Sequence, residues 1–386
     1  MKLPILLSAC ALAVAPLSAC SLTEDNDSGK NSSNKITVTS TDDKCEVSAA
    51  KAESGRISFN VKNDGSKVTE FYLYGEDGLR IVGEVENIGP GITRDLVLTA
   101  QPGTYFTACK PGMIGKGIRA DFTVSDSGKD VTIKGVDQKT IDTALAQYSS
   151  YVKDQTSQLV ADTQEFIDAY KAGDDDKART LFPTARTHWE GTETVAESFG
   201  DLDPKTDLRE ADLEPGQKWT GWHAIEKDLW PPAKGYTAFT PAQRVTYADD
   251  LMANITTLNT RVQTLTYTVD QIANGSKGLL DEVATGKISG EEDIWSHTDL
   301  WDFQANVDGA KVGYETLKPL LDVKDKALSE TLATRFAELQ KLLDKYKVGD
   351  GFVFYDTVKE PQRQELSDAV NALSEPLSKM AGALTL

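Results

Sequence analysis

The chain has 386 residues, and its 41 Lys and Arg against 60 Asp and Glu give a formal net charge of -19. Acidity of this strength argues against nucleic acid or an anionic membrane surface as a binding partner, and it suits a protein that attracts cations. Because there are only three histidines, at positions 188, 223 and 297, any mechanism that depends on histidine is restricted to these positions.

The N-terminal residues have the pattern of a bacterial export signal. A basic start is followed by an apolar run over 3–17 that is too short and wrongly flanked for a transmembrane helix. The run ends in Leu17-Ser18-Ala19-Cys20, which resembles the lipobox, in which the cysteine is lipidated and becomes the mature N-terminus. We therefore predict a signal peptide at 1–19, a lipid anchor on Cys20, a flexible polar tether at 20–34 and an extracytoplasmic location.

Residues 35–134 show the pattern of short β-strands. Ile57-Ser58-Phe59-Asn60-Val61 and Leu96-Val97-Leu98-Thr99 alternate between apolar and polar residues, and turn residues such as Gly89-Pro90-Gly91 separate the strands. Strands at this spacing predict an antiparallel β-sandwich. The two cysteines in this region, Cys45 and Cys109, are expected to form a disulfide in an oxidising compartment.

Residues 135–386 show the apolar period of helices, and we predict an antiparallel helical bundle. Thr240-Pro241 supplies an N-cap and a first helical residue. The last helix is expected to be kinked or broken at Pro376. The predicted helices cover about 141–173, 178–199, 241–273, 298–317, 324–346 and 367–384.

Two short motifs in this region place candidate metal ligands three residues apart. Trp189-Glu190-Gly191-Thr192-Glu193 carries two glutamates, and Trp222-His223-Ala224-Ile225-Glu226 carries a histidine and a glutamate. On a helix each pair leaves one face, and the combination resembles the carboxylate metal sites of helical bundles. These ligands suit iron or manganese and could accommodate zinc or copper. The alternatives are a solvated acidic face for the glutamates and a hydrogen-bonded core position for His223.

Three longer strings carry a resemblance to a known family. They are Glu197-Ser198-Phe199-Gly200-Asp201-Leu202-Asp203-Pro204, Gly221-Trp222-His223-Ala224-Ile225-Glu226 and Ser296-His297-Thr298-Asp299-Leu300-Trp301-Asp302-Phe303. The chain resembles the imelysin-like, EfeO-type lipoproteins of bacterial iron uptake, for which Gly-x-His-x-x-Glu is the hallmark. This resemblance implies a cupredoxin-like β-sandwich followed by an imelysin-like helical bundle.

The resemblance also implies a function and a set of ligands. The protein would capture iron, as Fe2+ or Fe3+, and pass it to an EfeU-like membrane permease, with an EfeB-like haem peroxidase as a further partner. Apart from the resemblance, we take a monomer as the default oligomeric state. The ligands of the helical domain would be Glu190, Glu193, Asp207, His223 and Glu226. His297 is expected to be a structural residue at a helix start, and His188 a surface residue.

For the β-domain the resemblance implies a second metal such as copper. Because this domain contains no histidine, an ordinary blue-copper centre is excluded. The candidate ligands would be Cys45, Glu70 and Cys109, beside Met113. A disulfide between the two cysteines is the alternative to this metal site.

An enzymatic alternative also follows from the resemblance, because the family has been classed with metallopeptidases. In that case Glu226 would be the base and a metal-bound water the nucleophile. The sequence contains no His-Glu-x-x-His, no Gly-x-Ser-x-Gly and no phosphate-binding glycine loop. We therefore expect a protein that binds metal without catalysis, with a metallopeptidase or another metal-dependent binding protein as alternatives.

Overall fold

The computed structural model describes residues 34–76, 78, 81–100, 102–113, 117–128, 133 and 135–385. The predicted signal peptide, the predicted lipid anchor at Cys20 and the predicted tether up to residue 33 lie outside these described residues. Within the described ranges, no helix combines the length and the apolar composition that crossing a bilayer requires.

The described part of residues 34–128 forms nine strands in two sheets. They are β1 Lys35–Ser40, β2 Cys45–Val47, β3 Lys51–Glu53, β4 Gly55–Asn63, β5 Thr69–Tyr74, β6 Ile81–Ile88, β7 Thr93–Ala100, β8 Gly103–Cys109 and β9 Ile118–Ser125. The order is β2-β1-β4-β7 in one sheet and β3-β9-β8-β5-β6 in the other.

The alternating strands bury one face of each sheet in a shared core. Ile57, Phe59 and Val61 of β4 are fully buried. The ring centroid of Phe59 lies 5.1 Å from that of Phe71 and 5.5 Å from that of Phe122, so aromatic side chains of both sheets meet at the centre. The predicted β-sandwich is therefore confirmed.

The pairing of the strands corrects one part of that prediction. β1 pairs with β4 in parallel, and β3 pairs with β9 in parallel, so the sandwich is mixed rather than wholly antiparallel. Parallel neighbours need a crossover connection. β2 and β3 provide it for β1 and β4, since β2 stays in the first sheet and β3 joins the second.

The C-terminal region is a helical bundle, as predicted. Its helices within the described residues are α1 Gln138–Ala172, α2 Asp175–Glu190, α3 Asp203–Thr206, α4 Trp222–Leu229, α5 Pro241–Val262, α6 Val269–Thr285, α7 Asp299–Lys324, α8 Lys326–Leu343, α9 Glu360–Leu377 and α10 Met380–Thr385. A short hairpin of β10 Lys347–Val348 and β11 Gly351–Phe352 follows α8. α1 packs against α2, α5 and α7, and α6 packs against α7 and α9.

Local signals set several helix ends where the sequence predicted them. The side chain of Asp137 accepts a hydrogen bond from the backbone N–H of Thr140 at the start of α1, and Gly173 ends that helix in the left-handed conformation at φ 75°. Thr240 and Gln243 form a capping box at the start of α5. The break at Pro376 is also confirmed, since α9 ends one residue later.

Four predicted helices were wrong in extent. The helix predicted over 298–317 continues to Lys324, and the one predicted over 367–384 begins earlier, as α9 at Glu360, and is followed by the separate α10. The helix predicted to run to 273 ends at Val262, because Thr268 and Gln271 form a second capping box that starts α6. The helix predicted over 178–199 ends at Glu190, and the chain continues after Gly191 as a 3₁₀ helix over Glu193–Phe199.

The first turn of α6 also contacts the sandwich: Asp270 Oδ2 accepts a hydrogen bond from the Thr99 backbone N–H at 2.9 Å.

Candidate metal site

Arg186, in the last full turn before the end of α2, lies at the centre of a cluster of buried carboxylates. Its guanidinium is fully buried and lies within ion-pair distance of five of them. They are Glu190, Asp207, Glu292, Asp293 and Asp302. Because a buried carboxylate needs a charged partner, Arg186 allows the chain to gather these groups inside the bundle.

Lys287 is the second buried cation of the cluster. Its ammonium lies 2.6 Å from Glu190 Oε2, 2.9 Å from Glu193 Oε2 and 3.6 Å from Glu292 Oε1, and its side chain is only 1% exposed. The residue stands in the 3₁₀ turn Lys287–Ser289, directly after the end of α6. It therefore connects Glu190 and Glu193, at and just after the end of α2, with Glu292 in the loop that precedes α7.

Glu190 and Glu193 do not share a helix face, contrary to the prediction, because α2 ends between them. They converge through the turn at Gly191. Asn306 of α7 closes this turn: its Nδ2 donates to the Glu190 carbonyl at 3.1 Å and lies 2.9 Å from a carboxylate oxygen of each glutamate. Gly309 lets α7 approach this closely, since a Cβ there would lie 2.5 Å from the Gly191 carbonyl oxygen.

His223 and Glu226 lie in the short helix α4, on one face, as the spacing predicted. His223 Nδ1 is 2.9 Å from Glu226 Oε2. The other oxygen of Glu226 accepts hydrogen bonds from the backbone N–H groups of Trp295 and Ser296, at 3.0 and 2.8 Å. Glu226 therefore fixes the imidazole ring and ties α4 to the loop before α7.

The second ring nitrogen of His223 points into the carboxylate cluster. Nε2 is 3.5 Å from Asp207 Oδ1 and 3.5 Å from Glu292 Oε1. It is buried and has no hydrogen-bond partner among the described residues. A buried polar atom without a hydrogen-bond partner calls for an explanation. In the ion-free protein a proton on Nε2, attracted by both carboxylates, supplies one, and a metal cation held by His223, Asp207 and Glu292 would take its place.

Gly221, the first residue of the Gly-x-His-x-x-Glu element, has a steric role. It stands before α4 at φ 89° and ψ -162°, a conformation nearly confined to glycine. A Cβ there would lie 2.1 Å from the Thr206 carbonyl oxygen. The glycine thus brings α4 against the end of α3, next to Asp207.

Replacing Gly221 by alanine is therefore expected to lower the free energy of unfolding by about 3 kcal/mol or more, because backbone strain and overlap with Thr206 add. Gly216→Ala is the matched control: its φ is also positive, at 86°, but a Cβ there meets no atom within 4 Å. Thermal and urea denaturation would compare the two variants. Equal losses of stability would contradict the steric role.

Three groups of side chains in the described chain bring potential ligand atoms within 4.8 Å of one another. The first is Asp207, His223 and Glu292; the second is His223, Glu226 and Asp293; the third is Glu190, Glu193 and Asp207. All five residues predicted as ligands from the sequence fall into these groups. The structure thus brings the predicted set together, although Glu226 already uses both oxygens within the protein.

The ionisation of the cluster reflects burial and charge together. Burial and Arg186 would lower the pKa of His223, but the carboxylates of Glu226, Glu292 and Asp207 outweigh them and raise it to about 10. Burial would raise the pKa of Glu292, but Lys287, His223 and Arg186 hold it well below its usual value.

Other acids of the cluster shift in the opposite direction. Burial and the neighbouring Glu190 raise the pKa of Glu193 well above its usual value. Burial likewise raises the pKa of Asp302, and it raises the pKa of Asp299 to about 7. Protons therefore occupy part of this site when no other cation is bound.

Sequence reasoning missed several members of the site. Arg186, Lys287, Glu292, Asp293, Asp302 and Asn306 were not among the candidates. A signal existed for some of them: Glu292 and Asp293 form an acidic run shortly before the string at 296–303, and Arg186 precedes Glu190 by one helical turn. No spacing rule connects Lys287 with Glu190, because 97 residues separate them.

The remaining histidines lie outside the three ligand groups. His188 contacts α1 instead, with Nδ1 at 2.9 Å from Gln155 Oε1 and Nε2 at 3.2 Å from Asp162 Oδ2. His297 has a positive φ of 61° just before α7. Its backbone N–H donates to Asp293 at 2.7 Å and its carbonyl accepts from Tyr355 at 2.8 Å, so its visible contacts are structural.

In the β-domain, Cys45 and Cys109 are joined by a disulfide. A cysteine binds metal as a thiolate, and a disulfide offers none. The predicted cysteine and carboxylate site therefore does not form in this oxidised state, and the disulfide alternative holds. Glu70 accepts a hydrogen bond from the Tyr72 hydroxyl at 2.6 Å and lies 3.9 Å from the Lys110 ammonium. Met113, which the sequence placed beside these candidate ligands, lies at the surface and is 41% exposed.

The cluster opens into a cleft between the bundle and the sandwich. The cleft has a volume of about 690 Å³, and Glu193, Asp207 and Glu292 stand on its bundle wall. Glu84 and Glu86 of β6 stand on the wall formed by the sandwich. A cation that enters from this side passes carboxylates of both domains, which favours its approach.

Comparison with known proteins accounts for both halves of this architecture. The imelysin family model matches residues 144–380, and a cupredoxin-like domain model matches residues 7–124. The chain belongs to the imelysin family. Over 360 residues it is 35% identical to the iron uptake system component EfeO of Escherichia coli K12, of E. coli O157:H7 and of Shigella flexneri. The matches cover 91% of this chain and 92% of each relative.

These similarities confirm the resemblance drawn from the sequence, so the chain is an EfeO-type imelysin with a cupredoxin-like domain. Gly221, His223 and Glu226 of the hallmark element carry three separate tasks in this structure. Gly221 permits the close approach to α3, His223 points its Nε2 atom at Asp207 and Glu292, and Glu226 orients the ring.

Proposed function

We propose that this imelysin binds iron outside the cytoplasm and delivers it to the membrane. The observation that carries the proposal is the buried Nε2 of His223, which faces Asp207 and Glu292 at 3.5 Å without a hydrogen-bond partner among the described residues. The relatives are named as components of an iron uptake system. The export signal and the lipid anchor on Cys20 remain predictions from the sequence.

The charges of the site support a highly charged cation. Among the described residues, seven carboxylates contact Arg186, Lys287 or His223, and only the first two of these are permanent cations. The seven are Glu190, Glu193, Asp207, Glu226, Glu292, Asp293 and Asp302. With all of them ionised and His223 neutral, five negative charges remain. Carboxylate oxygens with one imidazole are a ligand set that suits iron.

Delivery requires a partner that accepts the ion. An EfeU-like permease is the proposed acceptor, and an EfeB-like haem peroxidase is a further proposed component of the same system. The cleft supports this role, because Glu193, Asp207 and Glu292 border it and an ion bound there has a path to the surface. A lipid anchor would keep the loaded protein at the membrane.

The geometry does not favour the metallopeptidase alternative. A general base needs a free oxygen within reach of the attacking water. Glu226 is fully buried, and its two oxygens are already taken by His223 Nδ1 and by two backbone N–H groups. It is therefore placed to orient the imidazole and not to accept a proton from water.

An iron titration of the chain without residues 1–20 tests the proposal. Trp189 is a built-in reporter, because its Nε1 donates to Asp207 at 3.0 Å and to Glu193 at 3.2 Å. We expect saturable quenching of tryptophan fluorescence by iron with a Kd of about 1 µM or lower. His223→Gln and Asp207→Asn should each weaken binding at least about 100-fold, since each removes a ligand.

His188→Gln is the matched control, because it makes the same chemical change at a histidine that contacts α1 and not the ligand groups. It should bind iron like the parent chain. If iron gave no saturable response, or if His223→Gln bound as well as His188→Gln, the site would not be an iron site.

A further inference from the structure

Lys287 holds a position in the cluster that Arg186 does not. Arg186 contacts Glu190 through Oε1, and Lys287 contacts it through Oε2, 2.6 Å away. The same ammonium lies 2.9 Å from Oε2 of Glu193. Lys287 therefore stands where the glutamate oxygens that follow α2 converge.

An ion bound through these two oxygens would need the space that the ammonium fills. Iron and similar ions lie about 2.0–2.2 Å from carboxylate oxygens, which is nearer than a lysine ammonium at hydrogen-bond distance. Two positive groups at such separation also repel each other strongly in a buried site. Arg186 is not in this conflict, because it contacts Glu190 through Oε1 and not through Oε2.

We propose that Lys287 is a displaceable counter-ion, which holds Glu190 and Glu193 together in the ion-free protein and leaves their oxygens when the cargo ion binds. This inference rests on the proposed iron-binding function. Its consequence is that Lys287 lowers the affinity for iron and speeds its release. A carrier that must give up its ion benefits from such a competitor, because the ammonium can return to the carboxylates as the ion departs.

The surroundings of Lys287 offer the ammonium a place to go. Lysine carries its charge on a flexible four-carbon stem. Glu292 is already 3.6 Å away, and the charge of Glu282, near the end of α6, also acts on Lys287. Glu292 is itself a proposed ligand of the ion, but Glu282 is not, and it borders the cleft, so the side chain can move toward Glu282 without losing every charged partner.

Replacing Lys287 by glutamine tests the inference directly. The Lys287→Gln variant is expected to bind ferrous iron at least about tenfold tighter than the parent chain, and to release it to a chelator more slowly by a similar factor, because the competing charge is gone. Lys287→Arg keeps the charge and should bind no tighter than the parent chain. Lys318→Gln removes a lysine at the surface of α7, 41% exposed, and should change neither quantity.

A second measurement does not depend on the stability of any variant. Acetylation of lysines in the parent chain, read by peptide mapping, should modify Lys287 at least about ten times faster when iron is bound, since the ammonium then leaves its buried position. If the parent chain bound no iron, the proposed function and this inference would both fail. If it bound iron while Lys287→Gln bound no tighter, or Lys287 stayed equally protected with iron, the inference alone would be overturned.

Discussion

Replacing Arg186 by glutamine is expected to lower the free energy of unfolding of the ion-free protein by about 3–5 kcal/mol. The guanidinium is fully buried among five carboxylates, and its loss leaves only Lys287 and His223 to balance their charges in a region of low dielectric. Urea denaturation, followed by the circular dichroism of the helices, measures this loss. Saturating iron should stabilise Arg186→Gln more than it stabilises the parent chain, because the ion supplies charge that the variant lacks.

Arg335→Gln is the control for this prediction. Arg335 pairs with Glu338 at 2.8 Å on the surface of α8 and is 43% exposed, so its removal should change stability by no more than about 0.5 kcal/mol. Equal effects of the two substitutions would show that Arg186 does not neutralise the carboxylate cluster. In that case the charge balance proposed for the site would have to be revised.

The affinity for iron is expected to rise at least about 100-fold from pH 5.5 to pH 7.5. His223 binds a metal ion only as neutral imidazole, and its pKa in the ion-free protein is about 10. Each ion bound through Nε2 therefore displaces a proton across this whole range, which changes the affinity about tenfold per pH unit. Glu193, whose pKa is also raised, adds to the effect when it becomes a ligand. Titrations with ferrous iron under anaerobic conditions measure the slope.

The stability of the ion-free protein is expected to fall as the pH rises, whereas its affinity for iron rises. The pKa of His223 is raised from 6.5 to about 10, so its contribution to stability is complete below pH 6.5 and is lost as the pH rises through 10. The pKa of Asp299 is raised from 3.8 to about 7, so its contribution is complete below pH 3.8 and is lost as the pH rises through 7. The gain in melting temperature on adding iron should therefore grow with pH.

His223→Gln separates these contributions, since glutamine keeps a polar side chain that does not titrate. The residual iron affinity of this variant should change by about one power of ten less per pH unit than that of the parent chain. An affinity that did not depend on pH in the parent chain would contradict proton displacement from His223. The ion would then be expected to bind at the group formed by Glu190, Glu193 and Asp207.

The sequence predicted the parts of this protein that local rules govern. Gly173 and Thr240 mark helix ends through contacts with their near neighbours, and the structure has these ends as predicted. The end of α2 could not be read in the same way, because Asn306 and Gly309, which lie more than 100 residues later, close the turn at Gly191. The parallel pairing of β1 with β4 likewise depends on a crossover between sheets.

The site was predictable to a similar extent. Both the pair His223 and Glu226 and the pair Glu190 and Glu193 could be found from their three-residue spacing, although only the first pair shares a helix. The resemblance added Asp207. The two buried cations were missed, because a lysine or an arginine in a sequence is most often a surface residue; only Arg186 had a local signal, its spacing of one helical turn from Glu190. Only the folded chain shows that Arg186 and Lys287 stand between carboxylates from four separate segments.

The contact between α6 and the sandwich bears on how this polypeptide can be divided. Asp270 is 2% exposed, its carboxylate accepts the backbone N–H of Thr99, and Asn274 one turn later donates to the Val97 carbonyl at 3.1 Å. In a fragment that began at residue 135, the Asp270 carboxylate and the Asn274 amide would lose these hydrogen-bond partners. Division at the predicted border would therefore separate two hydrogen-bonded neighbours, and an isolated bundle would need other partners for Asp270 and Asn274 in place of β7.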